Sequence, residues 1–411
     1  MNDASRARSL QIAVIGAGPV GLALALQAAR ALPEAQVTLF DARPAGKDVS
    51  GDPRTLALSL GSVQLLERLG AWTPALAQPI LEVHVSQQPP STLPLLGDWL
   101  GEPCLRIRAV DEAVPLLGAV LSYGSIVAPL QQVWMAAAAA EPARLHSRFG
   151  QPVAALKNLG DGVEVDAGIA ERFDLAIVAE GGVFADRPRQ ALVPKNRSPI
   201  RHDYHQTAWV GQVAFEPATE PRANGVAFER FTRHGPAALL PLKDGGAGLV
   251  WCVPSDDDPV RELNGAQRVT VLNSIFHPAT GRIASITPLK DFALGLNAER
   301  TLTDGRSVRI GNAAQTLHPV AGQGLNLGLR DAFELVHALA RNPDVDAVLK
   351  RLEWQRGPDR WAMIAATDFL ARSFTWKLPG AGAARGLGIA ALQLLSPLKS
   401  ALARQMMFGR R

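Results

Sequence analysis

A glycine-rich turn within the first forty residues constrains the fold more than any other feature of the chain. The apolar run LQIAVIG predicts a buried strand, and its last residue begins the spacing G-x-G-x-x-G with Gly16, Gly18 and Gly21. An alanine- and leucine-rich helix follows, and a second strand over residues 37–40 ends in Asp41. In such a βαβ unit the glycines provide a tight turn, close approach of a pyrophosphate and helix–strand packing, and the acid suits ribose hydroxyls. The stretch predicts a dinucleotide-binding α/β domain, for FAD or for NAD.

A second glycine-rich stretch lies near the other end of the chain. Residues 307–311 predict a short strand, and residues 325–336 repeat apolar side chains at three and four residues, as in an amphipathic helix. The loop between them contains Pro319, Gly322 and Gly324. A strand that ends in such a loop before a helix directs free backbone N–H groups at one point, which suits an anion or an electron-rich carbonyl. Glycines there would let a flat group lie against the backbone.

Composition sets the broad class. The 411 residues are 47% apolar and 19% charged, which predicts a globular chain of two or three domains. The first eleven residues are polar, and no run of about 18 apolar residues occurs, so we expect neither a signal peptide nor a membrane-spanning helix. Cys104 and Cys252 are too few for a disulfide framework and are expected to be buried thiols in a reduced cytosol.

The net charge of +4 is unevenly placed. Residues 372–411 contain seven Lys or Arg and no acid, so the rest of the chain sums to −3. This distribution argues against nucleic-acid binding, which needs a basic face on the folded domain.

Residues 311–331 carry a resemblance to a known family. Their pattern, G-N-A-A-x-x-x-H-P-x-x-G-Q-G-x-N-x-G-L-R-D, resembles the second flavin motif of the aromatic-ring flavoprotein monooxygenases, and most of all the ubiquinone-biosynthesis hydroxylases. The resemblance implies a Gly-Asp pair on the flavin ribitol and a P-x-x-G-x-G-x-N loop under the isoalloxazine ring. It also favours FAD over NAD for the N-terminal turn. The implied cofactor residues here are Gly311, Asn312, Pro319, Gly322, Gly324 and Asn326, with Asn312 where the family usually has Asp.

Three further positions follow from the resemblance. Arg54 lies in a segment similar to the family's Arg-x-x-A-L, whose arginine is near the flavin and pyrophosphate; the alternative is an exposed arginine at a helix cap. Glu180 follows the predicted strand 175–179 and loosely matches an Asp-Gly motif that contacts FAD and NAD(P)H, although Phe184 replaces a serine and only the distal Arg187 is kept. His318 could act as a proton relay or make a structural hydrogen bond to its loop.

Residues 200–300 differ in character from the rest. Short strands separated by turn signals are predicted at 208–215, 225–232, 237–242 and 248–253, as in a mostly antiparallel sheet. The resemblance implies that this sheet covers the substrate. The preceding Tyr204, His205 and Gln206 are either ligand contacts or the polar start of a strand. Residues 256–258 are three acids that indicate a solvated turn rather than a metal site, and we predict no metal. Earlier in the chain, His84 is expected on the surface of a strand.

These features together predict an α/β fold: a Rossmann-like FAD-binding domain, an inserted, mostly antiparallel β substrate domain, and a helical C-terminal part. We assign residues 1–80, 105–190 and 301–345 to the FAD-binding domain. Residues 81–104 are an excursion into the substrate domain, residues 191–300 form that domain, and residues 346–411 are the helical part.

No motif for a protein-based catalytic centre occurs. The resemblance implies a monooxygenase that hydroxylates the ring of a polyprenylated phenol in ubiquinone biosynthesis through a flavin hydroperoxide, with NAD(P)H as reductant. One alternative is a hydroxylase of a small phenol, which would need a polar anchor for a carboxylate. The other is a non-catalytic scaffold subunit, suggested by the replacements Asn312 and Glu180.

The C-terminal tail has two interpretations. Its apolar core is roughly ten residues, about half of a bilayer span. Leu387, Leu394, Leu398 and Leu402 could share one helix side, and the basic residues near them have no acid within the tail. The tail is either a helix packed on the flavin domain or an interfacial segment that contacts anionic lipid or a ubiquinone-biosynthesis partner complex. We expect a cytoplasmic protein, which under the second interpretation attaches peripherally to the inner face of the membrane.

Overall fold

The computed structural model describes residues 9–88, 103–180, 199–217, 224–319, 322–373 and 381–409. Phe184 and Arg187, which bear on the predicted NAD(P)H contact, lie outside these ranges, as do the basic residues Lys377, Arg410 and Arg411 of the tail.

Within the described ranges the α-helices are numbered in chain order. They are α1 (Pro19–Ala31), α2 (Leu60–Arg68), α3 (Tyr123–Ala140), α4 (Gly265–Ile275), α5 (Gln323–Arg341), α6 (Val345–Ser373), α7 (Ala381–Leu394) and α8 (Ser396–Phe408).

The strands of the described residues are numbered in the same way. They are β1 (Gln11–Ile15), β2 (Gln36–Asp41), β3 (Thr55–Ser59), β4 (Gln78–Ile80), β5 (Glu82–Gln87), β6 (Cys104–Arg108), β7 (Gly118–Ser122), β8 (Leu145–Phe149), β9 (Ala155–Asn158), β10 (Val163–Asp166), β11 (Ala170–Phe173), β12 (Leu175–Val178), β13 (Ile200–Phe215), β14 (Val226–Thr232), β15 (Gly235–Pro241), β16 (Ala247–Pro254), β17 (Ile283–Ile286), β18 (Lys290–Ala298), β19 (Thr303–Asp304), β20 (Ser307–Arg309) and β21 (Gln315–Thr316).

A six-stranded sheet forms the dinucleotide-binding half, in the order β19-β20-β12-β1-β2-β8. All its pairings are parallel except that of the edge strand β19. The central strand β1 is buried between α1 and α5 on one side and a small sheet, β11-β10-β9, on the other. Its near-continuous apolar sequence is what a parallel strand covered on both faces requires. Because the strands come from distant parts of the chain, the domain is discontinuous, as predicted.

The second large sheet has the order β21-β18-β13-β16-β15-β14-β5-β6, with β17 added to β13. Its pairings are antiparallel except between β14 and β5. The four predicted strands correspond to β13–β16, and β13 begins eight residues earlier than expected. The predicted fold class, α/β with an inserted and mostly antiparallel β domain and a helical C-terminal part, is confirmed. The predicted domain limits remain predictions.

The two faces of this sheet have different partners. Trp209 and Trp251 pack with Leu272 and other apolar residues of α4 on one face. Since side chains alternate along a strand, Gln206 and Ala208 lie on the opposite face, which we call the inner face. There Phe231 contacts Val85 and Leu370 of α6. The C-terminal helices thus cover the inner face of the sheet.

Several side chains differ from their predicted environment. The prediction of an exposed His84 is wrong: it is 3% exposed and lies edge-on to Phe228, because α4 and its following turn cover that face of β5. Cys252 is buried as expected, but Cys104 is only partly buried. Asp258 is not solvated, since its carboxylate accepts from the Trp209 indole at 3.0 Å and from the Val260 N–H at 2.9 Å.

A buried ion network joins α5, α6 and α8. The Arg356 guanidinium donates to Asp331 of α5 at 2.8 Å and to Asp359 at 2.8 Å. Arg330 of α5 also donates to Asp359, at 3.0 Å, and Gln405 of α8 donates to the other Asp359 oxygen. Burial would raise the pKa of Asp359, but Arg356 and Arg330 hold this pKa below its ordinary value. The Asp359 carboxylate therefore fixes α6 and α8 to the helix that follows the second glycine-rich loop.

The C-terminal helices are packed on the body rather than detached from it. Ala403 and Met407 of α8 are buried, and Gln393 of α7 accepts from the Arg106 N–H at 2.9 Å, on the edge strand β6. The tail itself contains no acid, so its basic charges look uncompensated in the sequence, but two of them lie near acids from another part of the chain. Lys399 lies 3.9 Å from Asp111, and Arg404 lies 3.7 Å from Glu112. The acids come from the turn after β6, which sequence spacing along the tail does not show.

Within the described part of the chain, no single helix has the length and apolar character needed to cross a membrane. The segments Gly382–Leu394 and Ser396–Phe408 meet those requirements only when taken together, and a bend of 94° separates them.

We predict that Asp359→Asn lowers the free energy of unfolding by about 3–5 kcal/mol, because two buried arginines lose their shared counter-charge. Urea unfolding followed by circular dichroism measures the change. Asp346→Asn is the matched control on the same helix: Asp346 pairs with Arg306 at 2.8 Å but is 55% exposed, so its loss should cost about 1 kcal/mol or less. Equal effects of the two substitutions would contradict a structural role for the network.

Candidate active site

The glycines of the N-terminal turn have different surroundings. Gly16 has φ of +104°, and a Cβ on it would lie 2.9 Å from the backbone nitrogen of Glu180. A Cβ on Gly21 would lie 1.9 Å from the Gly16 carbonyl oxygen. A Cβ on Gly18 would meet only the Tyr123 hydroxyl, at 3.7 Å. Gly16 and Gly21 are therefore required by the protein itself, whereas the space above Gly18 is open, as close approach of a pyrophosphate requires.

Asp41 holds this turn in place. Its Oδ2 accepts from the Ala17 N–H and its Oδ1 from the Arg43 N–H at 2.7 Å. The Arg43 guanidinium in turn donates to the Ala17 carbonyl at 3.1 Å and to Gln131 at 2.9 Å. A carboxylate oxygen can accept more than one hydrogen bond, so these contacts leave capacity for a ribose hydroxyl. The ribose contact itself stays a prediction.

The structure brings Arg54 close to the same turn. Its guanidinium lies 4.2 Å from the centre of the Tyr123 ring, whose hydroxyl adjoins Gly18. Arg54 also forms an ion pair with Asp52 at 2.7 Å, and its side chain is 57% exposed. Both predicted interpretations thus describe part of its position: the arginine is exposed, but it lies beside the pyrophosphate turn rather than at a helix cap.

The second glycine-rich stretch packs directly on the first. Gly311 has φ of +60°, and a Cβ on it would lie 3.3 Å from a methyl group of Val20 in α1. A Cβ on Gly328 of α5 would lie 2.7 Å from the Gly311 Cα. Only glycine allows this approach of two helices and a loop. The contact packs Gly328, in the second turn of α5, against the first turn of α1.

Neither of these helix starts is capped by its own side chain. The N-cap residues are Gly18 for α1 and Gly322, with φ of +59°, for α5, and neither makes a side-chain cap hydrogen bond. The first N–H groups of a helix have no partner within the helix and carry partial positive charge. Two such uncapped ends, on helices that pack on each other, fit a ligand that carries phosphate at one end and carbonyl groups at the other, which is the chemistry of FAD.

Glu180 and Asn312, the two departures from the family motifs, each adjoin a glycine of the two glycine-rich stretches. The backbone of Glu180 lies against Gly16, and the side-chain oxygen of Asn312 is 4.0 Å from the position of a Cβ on Gly324. Asn312 therefore presents an acceptor at the start of α5. The structure brings these residues together with the glycines; their contacts with a cofactor stay predictions.

Asn326 has its hydrogen bonds within the protein. Its side-chain oxygen accepts from the Ser59 N–H and the Ser62 hydroxyl, both at 2.8 Å. Its side-chain nitrogen donates to the carbonyls of Ala57 and Gly322, both at 3.0 Å. Asn326 thus ties the loop at Gly322 to β3 and α2, and any effect on a cofactor passes through the position of that loop. The Pro319 carbonyl accepts from the Gly322 N–H at 3.0 Å and closes the same turn.

His318 is buried between the loop and the inner face of the substrate sheet. Its Nε2 lies 2.9 Å from the Gln206 side-chain oxygen, and its ring is edge-on to Tyr204 at 5.2 Å. Burial lowers the pKa of His318 to about 4, so the ring is uncharged at neutral pH. The hydrogen bond seen here goes to Gln206 of β13, whereas the prediction placed it on the loop of His318. An uncharged ring does not favour a relay that needs imidazolium, and both predicted roles stay predictions.

One residue in this region was not singled out from the sequence. Asp368 of α6 accepts from the Tyr204 hydroxyl at 3.1 Å and from Arg372 at 3.0 Å. Burial and the Asp368 charge raise the pKa of Tyr204, so Tyr204 stays a phenol. Asp368 lies 164 residues from Tyr204 in the sequence, and no local pattern could have linked them. Tyr204 and Gln206 therefore contact the loop instead of being only the polar start of a strand.

Comparison with known proteins places this geometry in a family. The family model described as "FAD binding domain" matches residues 9–366. Ubiquinone hydroxylase UbiL of Rhodospirillum rubrum is 30% identical over 96% of this chain and 89% of its own length. The 3-demethoxyubiquinol 3-hydroxylase of Escherichia coli is 29% identical over 95% of this chain and 96% of its own.

Two solved structures share the fold at low sequence identity. The p-nitrophenol 4-monooxygenase PnpA of Pseudomonas putida has a TM-score of 0.72 at 15% identity and covers 98% of this chain and 99% of its own. HpxO of Klebsiella pneumoniae, complexed with FAD and uric acid, has a TM-score of 0.68 at 15% identity and covers 96% of this chain and 97% of its own.

We predict that Gly18→Val removes FAD from the protein without unfolding it, because the branched side chain fills the open space above the turn. Visible absorbance of the purified protein measures bound FAD, and circular dichroism measures folding. Gly21→Val is the contrasting variant: its side chain must displace the Gly16 carbonyl, so the fold itself should be lost. If Gly18→Val bound FAD with wild-type affinity, the assignment of this turn to the pyrophosphate would be wrong.

Proposed function

The chain belongs to the FAD-binding domain family, and we propose that it uses FAD to hydroxylate the ring of a polyprenylated phenol in ubiquinone biosynthesis. The observation that carries this proposal is that two helices with uncapped starts, at Gly18 and Gly322, pack on each other through Val20, Gly311 and Gly328. The chain is a flavin-dependent monooxygenase by family, and its full-length relatives include hydroxylases of ubiquinone and demethoxyubiquinol.

The cofactor and the protein residues have separate roles in the proposed reaction. FAD, when bound, supplies the activation of dioxygen and the storage of electrons from NAD(P)H, the expected reductant. The helix starts of α1 and α5 would hold the anionic and carbonyl ends of the cofactor, and Asp41 would hold the turn that faces the ribose. The loop between β21 and α5 would position the flavin ring. Leu370 of α6, packed on Phe231 and Val85, helps close the inner face to water, which protects a reactive oxygen species from side reactions.

The substitution Asn312 is compatible with this role. Its side chain still offers an oxygen to a ribitol hydroxyl but lacks the charge of Asp, and a hydrogen bond to a charged group is stronger by about 1 kcal/mol. We expect FAD binding several-fold weaker than with Asp, and not abolished. The scaffold alternative would require the protein to bind no FAD at all.

A small carboxylated phenol is a poorer fit. Such a substrate needs a buried cation that faces the reacting space. The arginine buried in the sheet, Arg230, lies on the face opposite Gln206, and its Nε donates to the Ile275 carbonyl at the end of α4 at 2.9 Å. A prenylated ring, held by apolar contacts, needs no such cation.

We propose further that the protein docks on the bilayer through an apolar patch, defined as Leu387, Leu394, Leu395 and Leu398. These side chains are exposed, Leu394 by 81%, and the last three lie at the bend between α7 and α8. Burying a leucine is worth about 1.5–3 kcal/mol, so several together support reversible attachment. Because Lys399 and Arg404 have acids nearby, we expect apolar burial to contribute more than charge. Such docking would bring the active site to a substrate that is dissolved in the bilayer.

We predict that ¹⁸O₂ places its label in the new ring hydroxyl of the product, since the inserted oxygen comes from dioxygen. Mass spectrometry of the product of the reconstituted holoenzyme measures this. Label that arrives from H₂¹⁸O instead would exclude oxygen insertion by the flavin.

The visible spectrum of the purified protein distinguishes the enzyme from a scaffold subunit. We expect a flavin band at near-stoichiometric FAD. A colourless protein that cannot be loaded with FAD would contradict the proposed function.

We predict that the triple variant Leu394→Ser/Leu395→Ser/Leu398→Ser no longer floats with phosphatidylglycerol-containing liposomes, whereas the wild type does. Flotation of the wild type should persist at about 0.5 M salt, where surface charge attraction is largely screened. Ile169→Ser is the matched control, because Ile169 is equally apolar and exposed but lies in the turn between β10 and β11. A wild type that stays unbound, or a triple variant that floats unchanged, would contradict docking through the patch; capture of a partner protein alone would point to a different occupant.

A further inference from the structure

Strand β13 contains an irregularity beside the flavin loop. Asp203 pairs with Gly295 of β18, but the next paired residue, Gln206, faces Leu294. Tyr204 and His205 are therefore extra residues in a bulge. His205 has φ of +50°, and its N–H donates to the Asp203 carboxylate at 2.8 Å. Bulges of this kind redirect side chains and are frequent next to active sites.

Two side chains contact His318: Tyr204, which lies in the bulge, and Gln206, which follows it. Gln206, itself buried, places its side-chain oxygen 2.9 Å from Nε2 of His318. Tyr204 lies edge-on to the ring and is held by Asp368 at 3.1 Å. With an acceptor at this position, the proton of the uncharged imidazole lies on Nε2, and Nδ1 is the unprotonated nitrogen.

The histidine is coupled to the cofactor loop through the backbone. His318 directly precedes Pro319, whose carbonyl accepts from the N–H of Gly322, the N-cap of α5. A shift of His318 would therefore move Pro319 and, through this hydrogen bond, Gly322 at the start of α5. On the other side, β21 pairs with β18, so the chain enters this loop directly from the substrate sheet.

We propose that Gln206 is a positioning residue of the hydroxylase: its amide fixes the Nε2–H tautomer of His318 and so holds His318 and Pro319, in the loop between β21 and α5, in position with an uncharged ring. This inference rests on the proposed placement of the flavin over that loop. Among the described residues, the titratable group in contact with the imidazole is Tyr204. Asp368 accepts from Tyr204 and from Arg372, and His202 lies edge-on to Tyr204 at 5.2 Å. Burial of His318 and the amide partner agree in favouring the neutral ring.

The test replaces the amide by an isosteric acid. In Gln206→Glu a carboxylate faces Nε2, which stabilises the protonated imidazole and raises the pKa of His318. ¹⁵N-histidine NMR of the FAD-loaded protein, with the His318 signal assigned by its absence in His318→Asn, reports the protonation state directly. We expect the Nε2–H neutral form in the wild type between pH 5.5 and 8 and imidazolium at pH 7 in Gln206→Glu, together with a shift of the flavin visible spectrum. Gln212→Glu is the matched control: Gln212 lies further along β13 and should change neither signal.

A second variant separates positioning from charge. Gln206→Leu removes the acceptor and adds no charge, so the loop should lose its register while FAD stays bound. Because about 1 Å of misplacement costs on the order of a hundredfold in rate, we expect kcat to fall by about that factor at every pH, with electrons from NAD(P)H diverted to hydrogen peroxide. A wild-type His318 that is imidazolium at pH 7, or a Gln206→Leu enzyme with wild-type kcat and product yield, would overturn the proposal. Loss of FAD from the wild type would instead contradict the proposed function and leave the NMR result on the Gln206–His318 pair readable.

Discussion

The structure depends on one close contact between α1 and α5. Gly311 and Gly328 touch backbone to backbone, and Val20 packs against both. Because any side chain at these glycines would separate the helices, the contact fixes the distance between the two helix starts. The positive ends of the two helix dipoles are thereby held in a fixed relation to each other, and neither is stabilised by a capping side chain. A capping side chain would contribute roughly 1 kcal/mol of stability at each helix start. Here a bound ligand can provide that stabilisation instead.

The buried ion network extends this constraint to the end of the chain. Asp331 and Arg330 lie on α5, and through Arg356, Asp359 and Gln405 they fix α6 and α8. The helix whose start faces the cofactor space is therefore also the anchor for the helices that roof the inner face. Isolated charges in such an environment would be costly, so the network keeps the C-terminal helices in a single arrangement. The leucine-rich bend between α7 and α8 stays exposed after this packing.

The substrate sheet is asymmetric in a way that suits oxygen chemistry. The face covered by α4 is filled with tryptophan and leucine side chains and with the buried Arg230 at its margin. On the inner face, the polar groups around His318 are paired with one another through Gln206, Tyr204 and Asp368. Such paired groups orient a loop without presenting a free acid or base, which agrees with a reaction whose reactive centre belongs to the cofactor.

The sequence by itself determined those features that depend on neighbouring residues. The glycine spacing at residues 16–21, the strand–loop–helix at residues 307–339 and the alternating strands of residues 200–254 are local requirements of backbone geometry and burial, so they are visible as patterns. Only the tertiary structure decided which distant groups meet. Asn326 bonds to Ser59 across 267 residues of chain, His84 is covered by α4, and Lys399 lies beside Asp111. Burial and ion pairing are properties of assembled surfaces, and a residue carries no local mark of the partner that folding will bring to it.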